Sequence, residues 1–195
     1  MSAAVDDLAS LRTELHAMLY DRSFKFGDFV LRSGRRSDFY FDGKQVTLDG
    51  RGLYLVSRLI LQRCRELPGI TAVGGMTLGA DPIAAGVAAL SGMEDDSPLQ
   101  AFIVRKEVKD HGTGKPIEGP ALQPGQRVVM VEDTITTGGA ILQAYDRVVE
   151  TGADVVEAIV IVDREEGGRE ALADRGIPLH ALYRRSEFPT RLQPA

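Results

Sequence analysis

The sequence predicts an α/β fold with a central, mostly parallel sheet flanked by helices, on three observations. Short apolar runs rich in β-branched residues alternate with segments of helical spacing. One run, Val128-Val129-Met130-Val131, reads as a buried strand that empties into Glu132-Asp133-Thr134-Ile135-Thr136-Thr137-Gly138-Gly139, and helical spacing resumes over 140–149. Polar loops follow four successive strand-like runs, at 74–80, 105–119, 132–139 and 163–168. Right-handed crossovers between parallel strands bring such loops to one edge of the sheet, where ligands of open α/β sheets bind.

The elements follow in order. Val5, Leu8, Leu11, Leu15, Met18 and Leu19 recur at three- and four-residue steps and predict an amphipathic N-terminal helix. Phe24, Phe26, Phe29 and Leu31, then Arg32-Ser33-Gly34-Arg35-Arg36, then Phe39-Tyr40-Phe41, predict two short strands around a basic turn. Thr47 or Asp49 caps a helix reaching about Cys64. Ile70-Thr71-Ala72-Val73 is a strand, and Asp81 with Pro82 opens a helix through Leu90. A polar connection over 92–98 leads to the strand Ala101-Phe102-Ile103-Val104. The stretch 105–119 holds one Arg, three Lys and a His, and its three glycines and proline predict a mobile loop. A strand over 155–162, a short helix over 169–175 closed by Gly176 and a last strand over 179–183 complete the chain.

Composition narrows the function. The 195 residues fit one domain whose core needs neither disulfide nor structural metal. Hydrophobic content of 44% and charged content of 26% are ordinary for a globular protein. A net charge of −5 argues against a nucleic-acid surface as the main function. The single Cys64 forms no internal disulfide, which fits a reducing cytoplasm. Residues 1–20 carry Asp6, Asp7 and Glu14 and lack the apolar block of a secretory signal. No apolar run approaches the ~20 residues that span a bilayer, so a soluble, cytoplasmic protein without a membrane partner is expected.

The chemistry lies in the convergence of loops. Backbone N–H groups at the start of a helix receive phosphate, so Thr134, Ile135, Thr136, Thr137, Gly138, Gly139 and Ala140 form a candidate monophosphate cradle. Glu132 and Asp133 repel phosphate but suit adjacent sugar hydroxyls or a hydrated Mg²⁺. Arg105, Lys106, Lys109 and His111 are placed to neutralise a pyrophosphate. A sugar phosphate with a second, strongly anionic group satisfies all three.

At these residues the chain resembles the type I phosphoribosyltransferases. Residues 128–139 are similar to their 5-phosphoribosyl 1-diphosphate (PRPP) signature. Arg105-Lys106-Glu107-Val108-Lys109-Asp110-His111-Gly112 resembles the catalytic loop of the orotate phosphoribosyltransferase family. Residues 24–29, 31–35 and 37–41 and Asp163-Arg164 match in family order.

The resemblance implies a small hood made of the N-terminal helix and hairpin (residues 1–45) with the C-terminal segment, over a core at 46–185. It implies a homodimer that shares the catalytic loop, with Mg²⁺ carried mainly by PRPP and pyrophosphate. Glu132 and Asp133 would hold the ribose hydroxyls, with Lys109, Arg105, His111 and Asp133 catalytic. Tyr40 and Phe41 would lie against orotate, Thr136 would hydrogen-bond it, and Arg164 would pair with its carboxylate, a task that suits a planar guanidinium. Two positions depart from the pattern. Arg32 stands where some members have Lys, and Leu78-Gly79 where some have Tyr-Lys, so PRPP contacts there fall to backbone N–H groups of 77–80. A purine-type phosphoribosyltransferase and a PRPP-sensing, nucleic-acid-binding regulator are the alternatives.

Overall fold

The computed structural model describes residues 7–30, 36–107 and 115–190. The basic turn with Arg32, and Lys109 and His111 of the expected catalytic loop, lie outside these residues.

Helix α1 (Leu8–Arg22) is opened by Asp7, whose carboxylate accepts from the Ala9 N–H. An antiparallel hairpin follows, β1 (Phe24–Val30) and β2 (Arg36–Phe41). A single turn, α2 (Lys44–Thr47), then leads into α3 (Gly50–Glu66). Of the two candidate caps Asp49 is the one used: its carboxylate accepts from the N–H groups of Arg51 and Gly52. The remaining elements are β3 (Ile70–Met76), α4 (Ala80–Glu94), β4 (Gln100–Val104), β5 (Ile117–Glu118), β6 (Arg127–Ile135), α5 (Gly139–Val149), β7 (Asp154–Asp163), α6 (Gly168–Ala173) and β8 (Leu179–Arg184).

The six-stranded sheet has the order β5-β4-β3-β6-β7-β8, parallel except for the two-residue edge strand β5. Its strands are covered on both faces, which is why they read as unbroken apolar runs. Val73, Val129, Val131, Ile159 and Ile161 join the core beneath α1, α3 and α4. Their neighbours Ala72, Val128, Met130, Ala158 and Val160 join the core that contains Ile141 and Ala144 of α5 and Leu172 of α6.

The hood is an aromatic cluster. Phe24 packs on Phe41 at 5.0 Å and on Phe188 at 4.5 Å between ring centroids, and His16 stacks on Phe188 at 4.4 Å. The Tyr183 hydroxyl donates to the Arg12 carbonyl at 2.5 Å and ties the C-terminal segment to α1.

Several boundaries differ from expectation: β3 runs on to Met76, into the loop expected at 74–80, and β5 lies within the loop expected at 105–119. Strand β6 does not end before the acidic pair. Pairing with β7 continues through Glu132↔Val160, Thr134↔Val162 and Ile135↔Asp163, so both carboxylates project from a strand and not from a loop. Asp81 does not cap α4: Gly79 stands at the cap, and Asp81 sits in the first turn, accepting from the Thr77 hydroxyl at 2.8 Å. Helix α4 also runs on to Glu94, where Arg58 and Arg65 of α3 pair with its last carboxylate.

Candidate active site at the carboxyl edge of the sheet

The carboxyl ends of β4, β3, β6 and β7 are adjacent in the sheet, so the points at which the four polar loops leave their strands share one edge. At its centre Glu132 and Asp133 are 7% and 8% exposed. The Asp133 N–H donates to Glu132 Oε1 at 3.1 Å. Burial, reinforced by the Asp133 charge, lifts the Glu132 carboxyl well above the usual range. Burial also lifts Asp133, against the pull of Lys44, whose Nζ lies 3.9 Å from Asp133 Oδ2 and 3.3 Å from Asp42 Oδ1. The pair is short of positive charge or hydrogen-bond donors, which a ligand with vicinal hydroxyls supplies.

Two glycines make room for these acids. A Cβ on Gly79 would fall 1.6 Å from Glu132 Oε1, and one on Gly43 would fall 2.8 Å from Asp133 Oδ2. The absence of a side chain at 79 is therefore a steric condition of the Glu132 position. Leu78 is 71% exposed and points away from the core, the Thr77–Leu78 peptide bond is cis, and the Thr77 N–H donates to the Val104 carbonyl at 2.9 Å.

The candidate phosphate cradle lies at the start of α5. Gly138 has φ +84°, a left-handed conformation that glycine adopts freely, and no side chain caps the helix. Thr134, Ile135, Thr136, Gly138, Gly139 and Ala140 line one small cleft there, while Thr137 is exposed beside it. Within it, Ile135 turns its side chain into the core and the Thr134 hydroxyl donates to the Val162 carbonyl at 3.1 Å. These two residues face the cleft with backbone, leaving the hydroxyls of Thr136 and Thr137 for a ligand.

Arg105 and Lys106 line a cleft of about 380 Å³ with Thr77, Ile103, Glu107 and Glu118. The Arg105 guanidinium is paired with Glu118 at 2.8 Å. The base-side residues lie beneath the hairpin. Arg164, buried, stacks over the Phe39 ring at 4.6 Å and pairs with Glu166 at 2.8 Å. Tyr40 is 40% exposed, whereas the Phe41 side chain is buried against Phe24, which leaves its backbone as the part of Phe41 open to a ligand.

Sequence reasoning passed over Gly43, Lys44, Phe39 and Glu166. The only signal was position: Asp42-Gly43-Lys44 directly follows the aromatic strand, and Glu166 follows Arg164 by two residues.

With this geometry in hand, comparison with known proteins is specific. Residues 48–176 match the phosphoribosyl transferase domain family. The orotate phosphoribosyltransferase of Thermosynechococcus vestitus is 46% identical over 187 residues, covering 96% of this chain and 97% of that protein. A crystal structure of the Mycobacterium tuberculosis orotate phosphoribosyltransferase superposes with a TM-score of 0.78 at 36% identity, covering 91% of this chain and 98% of that one. The same enzyme in complex with PRPP superposes with a TM-score of 0.74 at 34% identity and the same coverage. The chain belongs to the orotate phosphoribosyltransferase family and has the type I phosphoribosyltransferase fold.

Proposed function

We propose that the chain transfers the 5-phosphoribosyl group of PRPP to orotate, giving orotidine 5′-phosphate and pyrophosphate, and that the residues gathered at the sheet edge perform the transfer. The observation that carries the assignment of the site is the buried Glu132–Asp133 pair set between an uncapped helix start and the Arg105–Lys106 cleft.

In this reading the 5-phosphate sits on the N–H groups of 138–140 and the hydroxyls of Thr136 and Thr137. Glu132 and Asp133 accept from the ribose hydroxyls, which fixes the anomeric carbon in the plane of attack. A ring nitrogen of orotate forms the new C–N bond as the C–O bond to pyrophosphate breaks, and the electron pair leaves with pyrophosphate. Positive charge grows on the sugar, and the carboxylates stand beside it. Arg105, Lys106, Lys109 and His111 receive the charge of the leaving group, with Lys109 or His111 able to supply a proton. Arg164 pairs with the orotate carboxylate while Thr136 and the backbone of Tyr40 and Phe41 orient the ring. Arg32 and the backbone of Leu78 and Gly79 complete the PRPP contacts.

Mg²⁺ fits this site as a companion of the substrate. The two buried carboxylates are oxygen donors of the kind Mg²⁺ takes, with Lys44 beside Asp133 only, yet no group of three or more His, Cys, Asp or Glu among the described residues could hold a metal unaided. Bound to PRPP, it neutralises pyrophosphate. A homodimer that shares the catalytic loop, and a cytoplasmic location, complete the proposal; among the described residues no helix is long and apolar enough to cross a membrane.

The test is orotate-dependent consumption of PRPP with Mg²⁺, run in parallel with uracil, adenine, guanine and xanthine. Orotate alone should release pyrophosphate. Exclusive use of a purine would overturn the base assignment, since a neutral purine offers Arg164 no carboxylate, and binding of PRPP without turnover would point instead to a regulator.

A further inference from the structure

Helix α5 carries the phosphate cradle at its first residues, and eight residues further on it carries Arg147. At about 1.5 Å of rise per residue the two stand roughly 12 Å apart along the helix. The half-buried Arg147 guanidinium donates to the main-chain carbonyl of Arg105 through Nη1 and to that of Lys106 through Nη2, the latter at 3.2 Å. Arg105 and Lys106 are the two basic residues among those that line the cleft beside Thr77. Arg105 is held twice more, its N–H donating to the Pro116 carbonyl at 2.9 Å and its guanidinium paired with Glu118. A planar fork that grips two successive carbonyls fixes the direction in which the intervening backbone leaves β4.

We propose that Arg147 is a positioning residue: it couples the 5-phosphate grip at the start of α5 to the pyrophosphate grip at Arg105–Lys106, so that both ends of one PRPP molecule are met at a fixed separation. The proposal rests on the PRPP site assigned above. Arg147 touches no substrate itself. Its hydrogen bonds end on carbonyl oxygens, and the side chains of Arg105 and Lys106 remain those that meet the ligand. The linkage is specific to the pyrophosphate end, because the cradle at 138–140 is set by Gly138 and by β6.

The experiment separates the two ends of the substrate by calorimetric titration of the full chain with inorganic pyrophosphate and with ribose 5-phosphate, both with Mg²⁺. In Arg147→Met pyrophosphate should bind about tenfold more weakly, the loss expected for one hydrogen bond from a charged donor, and KM for PRPP should rise with it. Affinity for ribose 5-phosphate should stay within about twofold, since its contacts are untouched. Arg147→Lys, which keeps the charge but not the planar fork, should fall between the two, and it carries the same comparison if the Met variant does not fold. Unchanged pyrophosphate affinity, or parallel weakening of both ligands, would overturn the coupling. A wild-type chain that binds ribose 5-phosphate but no pyrophosphate would refute the cleft assignment itself, an outcome visible before any variant is made.

Discussion

The acidic centre and the cationic edge of the site are built in opposite ways. Glu132 and Asp133 project from a nine-residue strand paired on both sides, with backbone locked by the sheet and side chains pressed against two glycines. Arg105 follows a five-residue strand whose outer neighbour is two residues long, and its side chain is 30% exposed. Each kind of charge is useful in a different frame. Groups that align the sugar throughout the reaction tolerate, and benefit from, a fixed low-dielectric frame that intensifies their interactions. Groups that receive a leaving pyrophosphate must also let it go, and an exposed edge weakens their grip to that end.

The largest effect should come from breaking the rigid side. Asp133→Asn is nearly isosteric and removes one buried charge, so turnover should fall by ~10²–10³ as an interaction with the charged transition state is lost. Stability should move the other way. Burial lifts this carboxyl, so the folded chain binds its proton more tightly than the unfolded chain does. The stability tied to the protonated form is complete below the ordinary carboxylate range and drains away as pH rises through the lifted value. At pH 8 the variant should therefore melt higher than wild type, by roughly 2–4 °C per kcal/mol of cost removed, and the gap should close toward pH 4. Thermal melts across pH check this, and a lower melting temperature at pH 8 would show the acid to be structural.

The base side sharpens the contrast, because Arg164 is as buried as the acids. Arg164→Leu should raise KM for orotate by roughly 10–100-fold, the loss of a charge-assisted pair, and leave PRPP binding intact. Equal losses for both substrates in steady-state kinetics would mean that Arg164 serves the hood through Phe39 and not the base. Gly79→Ala probes the frame itself. Its methyl group must displace Glu132 Oε1, and KM for PRPP should rise by about tenfold with little change in orotate affinity.

How much of this was visible in the sequence follows the same division. The acidic pair and the helix start behind it were legible because each is local, an apolar run, two acids, then hydroxyls and glycines within 128–139, and the parallel sheet because strand-like and helical runs alternate along the chain. That β6 continues past the acids to Ile135 was not, since β7 supplies the pairing from 28 residues further along the chain. Lys44 against Asp133, Gly79 against Glu132 and Phe39 under Arg164 are meetings of distant segments with no period or cap to announce them. Asp81 misled because Asp before Pro is a good cap in isolation, while here the Thr77 hydroxyl claims its carboxylate. Phe41 lay in a recognisable motif, yet strand alternation turned its ring to the core and left only its neighbour Tyr40 exposed.

The smallest effect belongs to the exposed edge, and its smallness is the point. In the free protein the Arg105 guanidinium is paired with Glu118, at side-chain exposures of 30% and 51%. In the proposed reaction it must exchange that partner for pyrophosphate, and a solvent-screened pair of this kind is worth only ~0.2–1 kcal/mol. Glu118→Gln frees Arg105 at the start, so KM for PRPP should fall, by no more than about fivefold, with melting temperature nearly unchanged. The gain should shrink as salt is added, because salt already weakens the pair in wild type. A change beyond tenfold, or one indifferent to salt, would mean that Arg105 and Glu118 form a fixed element like the acids of β6, and the contrast between a rigid centre and a yielding edge would not hold.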